Sequence, residues 1–207
     1  MSHDAIIGLY ERHAHAFDRD RGPSLPEQHW LDRFVALVPS GGSGLDVGCG
    51  MGEPMAAYVI GLGFTVTGGD ASPAMIAMCR ARFAAHEWLV GDMRALAIGR
   101  PFDGVLAWDS LFHLQADDQR AMFARCAAHA RPGAPLLFTS GTSAGEAIGE
   151  YCGELLHHAS LAPDEYAALL AAHGFAVREH KESDPDCGGH MVWLATRDAV
   201  GADYSRT

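Results

Sequence analysis

The stretch Gly44-Leu45-Asp46-Val47-Gly48-Cys49-Gly50-Met51-Gly52-Glu53-Pro54 constrains this chain more than any other part of it. It reads as a short buried strand, a turn with glycine at every second position, and the start of a helix. Glycines at 48, 50 and 52 let the main chain bend sharply and let a ligand approach it with no Cβ in the way. Many nucleotide-binding folds open with such a unit. The residues that follow it decide which ligand it holds.

Downstream, strand and helix patterns alternate. Met55 to Leu62 has helical spacing and stops at Gly63, and Phe64 to Gly68 is a strand that ends at Asp70. Ser72-Pro73 opens a helix, Ser as cap and Pro at the first helical position. Trp88 to Val90 and the apolar run Phe102 to Trp108 are further strands, the second buried on both faces. A helix over 117–130, a strand over 135–140, a helix over 164–173 and two strands over 175–180 and 191–196 complete the pattern. Upstream, residues 5–19 and 27–38 carry amphipathic helices. Strands alternating with helices give an α/β fold with a mostly parallel sheet, helices on both faces and an antiparallel C-terminal strand pair.

The chain has 207 residues, room for one domain with a sizeable core. The expected domain covers 1–207: an N-terminal helical cover (1–39), a ligand-binding core (44–140), a loop or lid rich in Gly, Ser and Ala (141–161), and a final helix and strand pair (162–197). There is no long apolar run and no signal-peptide core after Met1, so neither a membrane span nor a secreted protein is expected. The formal charge of −11 makes nucleic acid a poor substrate. Five widely spaced cysteines without a C-x-x-C suit reduced thiols in a cytoplasm. The twelve histidines show no metal-ligand spacing, so no metal is expected.

A dinucleotide site needs G-x-G-x-x-G, which puts its third glycine at residue 53. Glu53 stands there, and a glutamate entering the helix would repel a pyrophosphate that uses the positive helix end. A ligand without phosphates meets no such objection. The G-x-G-x-G spacing therefore favours S-adenosylmethionine over NAD.

Four segments carry a family resemblance: Leu45 to Gly52, Thr67-Gly68-Gly69-Asp70-Ala71-Ser72, Gly91-Asp92-Met93 and Phe102-Asp103-Gly104-Val105. In order and spacing they resemble the motifs of class I S-adenosylmethionine-dependent methyltransferases, small bacterial single-domain members in particular. That resemblance implies a Rossmann-like seven-stranded sheet and a methyl transfer yielding S-adenosylhomocysteine. It implies that Asp70 accepts from both ribose hydroxyls and that Asp92 accepts from the adenine amine. Ala71 and the Met93 N–H belong to the same stretch of the cofactor site. Gly48, Gly50 and Gly52 form the turn beside the methionine portion, with Asp46 ordering it from behind. Trp108 and Asp109 flank the methyl. An aspartate at a strand end also serves as a turn former or helix cap, and Met55, Met75 and Met78 are most simply core filling.

Methyl transfer from a sulfonium is an in-line displacement, so much of the catalysis comes from alignment and the exclusion of water. Where the nucleophile must lose a proton, His113 and then His158 are the candidate bases. Tyr151 and His190 are the candidate acceptor contacts. Tyr10, Phe17, Arg19, Arg21 and Trp30 form the expected cover, with Arg21 or Arg19 placed to meet the cofactor carboxylate. No Asn/Asp-Pro-Pro-Tyr/Phe follows the fourth strand and no basic patch accompanies the domain, which leaves a small-molecule acceptor. Two rivals stand beside this reading: an NAD(P)-linked oxidoreductase and a non-catalytic S-adenosylmethionine-binding protein.

Overall fold

Residues 3–199 are described by the computed structural model, with side chains from residue 4. Residues 1–2 and 200–207, part of the expected domain, lie outside the described residues. The chain begins with helices α1 (His3–Arg21) and α2 (Gln28–Val35). Strand and helix then alternate: β1 (Ser43–Val47), α3 (Met55–Gly61), β2 (Thr65–Asp70), α4 (Pro73–Arg82), β3 (Glu87–Val90), β4 (Gly104–Ala107), α5 (Ala116–His129) and β5 (Pro135–Ser140). A hairpin of β6 (Gly145–Tyr151) and β7 (Glu154–Ser160) follows, then α6 (Pro163–Ala172), β8 (Phe175–Asp184) and β9 (His190–Arg197).

Seven strands join in the order β3-β2-β1-β4-β5-β9-β8, parallel from β3 to β5 and antiparallel where β9 meets β5 and β8. This is the expected mostly parallel sheet. Its two cores follow from the two-residue period of a strand. Val105 and Ala107 face one side with Leu136, Phe138, Trp193 and Ala195, against α5 and α6. Leu106, Leu137, Val192 and Leu194 face the other with Trp30, Leu31, Phe34 and Ile76 from α2 and α4. β4 is buried along its whole length.

The helix starts follow their sequence signals where these exist. Ser72 accepts from the Met75 N–H (3.2 Å) with Pro73 at the first turn of α4. Helix α3 begins at Met55, so Glu53 lies just before it rather than in its first turn. The main departure is the stretch 141–161. Its Gly, Ser and Ala content read as a loop, whereas β6 and β7 pair along seven positions in a separate two-stranded sheet. β6 is exposed along most of its length, so it offered little apolar alternation to mark a strand.

Candidate functional site

The order of the sheet reverses between β1, paired to β2 on one side, and β4 on the other. Loops leaving the carboxyl ends of two such strands diverge and open a crevice. A cleft partly open to solvent lies there and is lined from the glycine turn, the ends of β2 and β4, and α1.

The glycine turn forms the floor. Gly48 has φ of +73° and Gly50 of +54°, conformations that favour glycine. A Cβ on Gly48 would stand 2.4 Å from the Ser110 Cβ, whereas one on Gly50 would meet only the Phe17 ring, at 4.0 Å. The Gly48 and Cys49 N–H groups both donate to the Gly69 carbonyl, at 2.8 and 3.1 Å. Asp70 closes the loop: Oδ2 accepts from the Gly50 N–H (3.0 Å) and Oδ1 from the Ser72 N–H (2.9 Å). Burial raises the Asp70 pKa against these donors.

Behind the turn, Asp46 is 4% exposed and its Oδ2 has no hydrogen-bond partner. Burial, then the Asp70 charge, pushes its pKa up to about 7. An orphaned carboxyl oxygen bordering a cavity calls for a donor from whatever fills that cavity.

Next to β4 the backbone turns at Asp109 with φ of +46°, unusual for a residue with a side chain. Thr139 of β5 holds it from two sides, accepting from the Asp109 N–H (2.8 Å) and donating to Oδ1 (3.0 Å). His190 Nδ1 lies 3.1 Å from the same oxygen, and that bond raises the His190 pKa. His113 follows in a short 3-10 turn, with Nε2 3.0 Å from the Tyr10 hydroxyl and Nδ1 3.4 Å from the His157 carbonyl. Burial, then the charges of Asp109 and Asp70, raises the Tyr10 pKa, so the phenol keeps its proton.

Most of the expected cofactor residues meet here: Asp46, Gly48, Gly50, Asp70, Ala71, Met93, Trp108 and Asp109 all line the cleft, as does His113. Gly52 turns away from it, toward Phe83 and Cys79. Asp92 caps an earlier 3-10 turn (Met93–Ala95) through the Arg94 N–H (2.8 Å) and accepts from the Arg94 guanidinium. His158, His190 and Tyr151 stand behind the wall rather than on it. The His158 ring lies 5.0 Å from His113 and 5.2 Å from Phe112, and burial lowers its pKa. Tyr151 stacks on Tyr10 at 6.5 Å and donates to Asp20.

Of the expected cover, Tyr10, Phe17 and Arg21 line the cleft; Arg19 does not. Trp30 is fully buried and donates to Asp184 (2.8 Å), a structural role. Sequence reasoning missed Thr139, Glu27 and the Tyr10–His113 bond. Glu27 binds Arg21 through one oxygen and is buried with the other unpartnered. No local pattern marks any of the three.

A family model described as a methyltransferase domain matches residues 45–133. The malonyl-[acyl-carrier protein] O-methyltransferase of Salmonella typhimurium (strain LT2) is 33% identical over 143 residues, 68% of this chain. The chain spans about half that enzyme's length (55%). Among solved structures, an amino pentose methyltransferase from Micromonospora echinaspora with bound S-adenosylmethionine superposes with a TM-score of 0.69 at 24% identity, covering 88% of this chain and 95% of that one. Magnesium protoporphyrin IX methyltransferase from Synechocystis PCC 6803, also with the cofactor bound, gives 0.72 at 19% identity, over 96% and 98%. At these identities the structures speak for the fold.

Proposed function

We propose, from the premise that the chain belongs to the class I S-adenosylmethionine-dependent methyltransferases, that it moves a methyl group to a small-molecule acceptor by in-line displacement. S-adenosylhomocysteine is the product. The observation that carries this reading is the tie between Asp70 and the Gly50 N–H, which sets a carboxylate beside a turn open to ligand on the same cleft wall. The residues suit the cofactor. Among the described residues that line it the cleft has no clustered cations for a phosphate, it has an orphaned carboxyl at Asp46, and Gly50 leaves room for close approach.

Asp70 keeps a lone pair on each oxygen for the two ribose hydroxyls. Ala71 and the Met93 N–H border the adenine, and Asp92, braced by Arg94, accepts from its amine. Asp46 answers the cofactor's ammonium, and Arg21, fixed by Glu27, its carboxylate. Gly52 shapes the turn without touching the ligand. Trp108 and Asp109 face the methyl end. The cofactor supplies an activated methyl on a sulfonium, so the protein's work is alignment and exclusion of water.

His113 is the proton acceptor where one is needed. If Tyr10 donates to Nε2, then Nδ1–H points at the His157 carbonyl, and Nε2 carries the basic lone pair. His158, kept neutral by burial, backs it. His190 acts through Asp109, and Tyr151 positions Tyr10. The five cysteines are free thiols, and we place the enzyme in a reducing cytoplasm. No helix of the described residues is long and apolar enough to cross a membrane. With a charge of −11, nucleic acid is not the acceptor.

Isothermal titration tests the reading. S-adenosylhomocysteine binds and NADH does not; NADH binding with no response to S-adenosylhomocysteine overturns it. Release of S-adenosylhomocysteine across an acceptor panel separates an enzyme from a protein that only binds the cofactor.

A further inference from the structure

Charge around the cleft is one-sided. Among the described residues that line it, Asp46, Glu53, Asp70 and Asp109 face a single guanidinium, Arg21. Arg21 is already engaged by the Ser24 carbonyl (2.8 Å) and the Glu27 carboxylate. Glu53 has Arg82 at 3.9 Å, and Asp70 takes two backbone N–H groups. Asp46 and Asp109 keep unused oxygens. Asp46 is buried with Oδ2 unpartnered. Asp109 receives both Thr139 and His190 on Oδ1, so Oδ2 is left for a ligand.

These carboxylates do not serve one group. In sheet order Asp70 ends β2, Asp46 lies on β1, and Asp109 follows β4 beside β5. At about 4.8 Å between strands, Asp109 stands some two strands, roughly 10 Å, from Asp70. It is therefore at the opposite end of the cleft from the ribose. Tyr10, Phe17 and Trp108 also line the cleft, and aromatic faces attract a cation. An anionic acceptor would find no uncommitted Lys or Arg among the described lining residues.

We propose that Asp109 anchors a cationic acceptor, so that the molecule methylated here is an amine arriving as its ammonium ion. This rests on the methyltransferase reading above. Asp109 suits the role because its strained backbone and three fixed contacts hold the free oxygen in one place. The ammonium gives one proton to His113 Nε2 through the Tyr10 hydroxyl. The freed nitrogen lone pair forms the N–C bond while the C–S bond breaks, its electron pair passing to sulfur. The product is again a cation, held by Asp109 until it leaves.

Calorimetry with three small aromatic probes of different charge tests this without knowledge of the acceptor. Benzyltrimethylammonium, benzyl alcohol and benzoate are titrated into protein loaded with S-adenosylhomocysteine and, separately, with sinefungin, whose amine restores a positive charge near the sulfonium position. The cation binds both complexes at least about tenfold more tightly than the alcohol or the acid. Asp109→Asn removes about tenfold of that preference, read as the ratio of cation to alcohol affinity within each complex. Equal binding of the three probes, no binding of the cation, or a preference confined to the S-adenosylhomocysteine complex overturns the proposal. The last result would mean that the carboxylates serve only the sulfonium. The wild-type comparison stands even where the variant does not fold. Failure of both loading ligands to bind is a different outcome, since it removes the methyltransferase reading itself.

Discussion

Replacing Asp70 by alanine separates the two jobs this carboxylate performs. It accepts backbone N–H bonds from Gly50 and Ser72, and it faces the cleft where the ribose lies in the proposed complex. A hydrogen bond to a charged acceptor contributes about 1.5–3 kcal/mol, so two ribose hydroxyls amount to about 3–6 kcal/mol. Burial already disfavours the charged form, as its raised pKa shows, and that offsets part of the gain. A net loss of about 3 kcal/mol remains, roughly a 150-fold rise in Kd for S-adenosylhomocysteine. Calorimetric titration of Asp70→Ala reads that value directly. Asp70→Asn is the companion. It keeps an oxygen for one backbone donor and one ribose hydroxyl but presents N–H to the others, so its Kd rises by an intermediate factor. A folded Asp70→Ala protein that binds within about threefold of wild type refutes the placement of the ribose at this residue.

Gly48→Ala sets a Cβ 2.4 Å from the buried Ser110 at φ of +73°, and unfolding in urea should show a loss of about 3 kcal/mol. Asp46 has its pKa raised from 3.8 to about 7, so folding favours its protonated form. That contribution is complete below the unfolded value and is lost as pH rises through the folded one. Measured by urea unfolding from about pH 4 to about pH 8, wild type loses as much as ~4 kcal/mol relative to Asp46→Asn, and a flat difference contradicts it. Ser72→Ala removes the cap on the Met75 N–H, lowering stability by about 1 kcal/mol and Tm by about 3 °C in a thermal scan.

The donor half of this site was legible because it is local. Asp46, Gly48 and Gly50 share one strand–turn unit, and Asp70 and Met93 sit at the ends of the next two strands, where the parallel order sends every strand end to one edge. Asp92 is less fully legible, since its carboxylate also caps the turn at the Arg94 N–H and pairs with the Arg94 guanidinium two residues on, contacts the motif does not announce. The hairpin was read as a loop because β6 is exposed along most of its length. The acceptor half depends on partners far apart in sequence. Tyr10 meets His113 across 103 positions, and Asp109 meets His190 across 81 and Thr139 across 30. Composition and spacing carry no trace of such pairings.

The same division separates the firmly held part of the cleft from the less firmly held part. The glycine turn and the ends of β1, β2 and β4 grow out of the sheet, with Leu45, Val47 and Val105 buried beneath them. The other wall is α1, and its apolar anchors are few: Ile6 and Leu9 against Leu156, and Ala14 against Met51 and Met75. Polar contacts fasten the rest. Glu11 accepts from the Ser72 hydroxyl and the Ala74 N–H, Asp18 pairs with Arg82, Arg12 and His13 meet Glu154, and Tyr151 reaches Asp20. Exposed pairs of this kind contribute little to stability, whereas the floor cannot move without opening a core. The glycine floor is therefore held more firmly than the α1 wall, which brings Tyr10, Phe17 and Arg21 to the cleft.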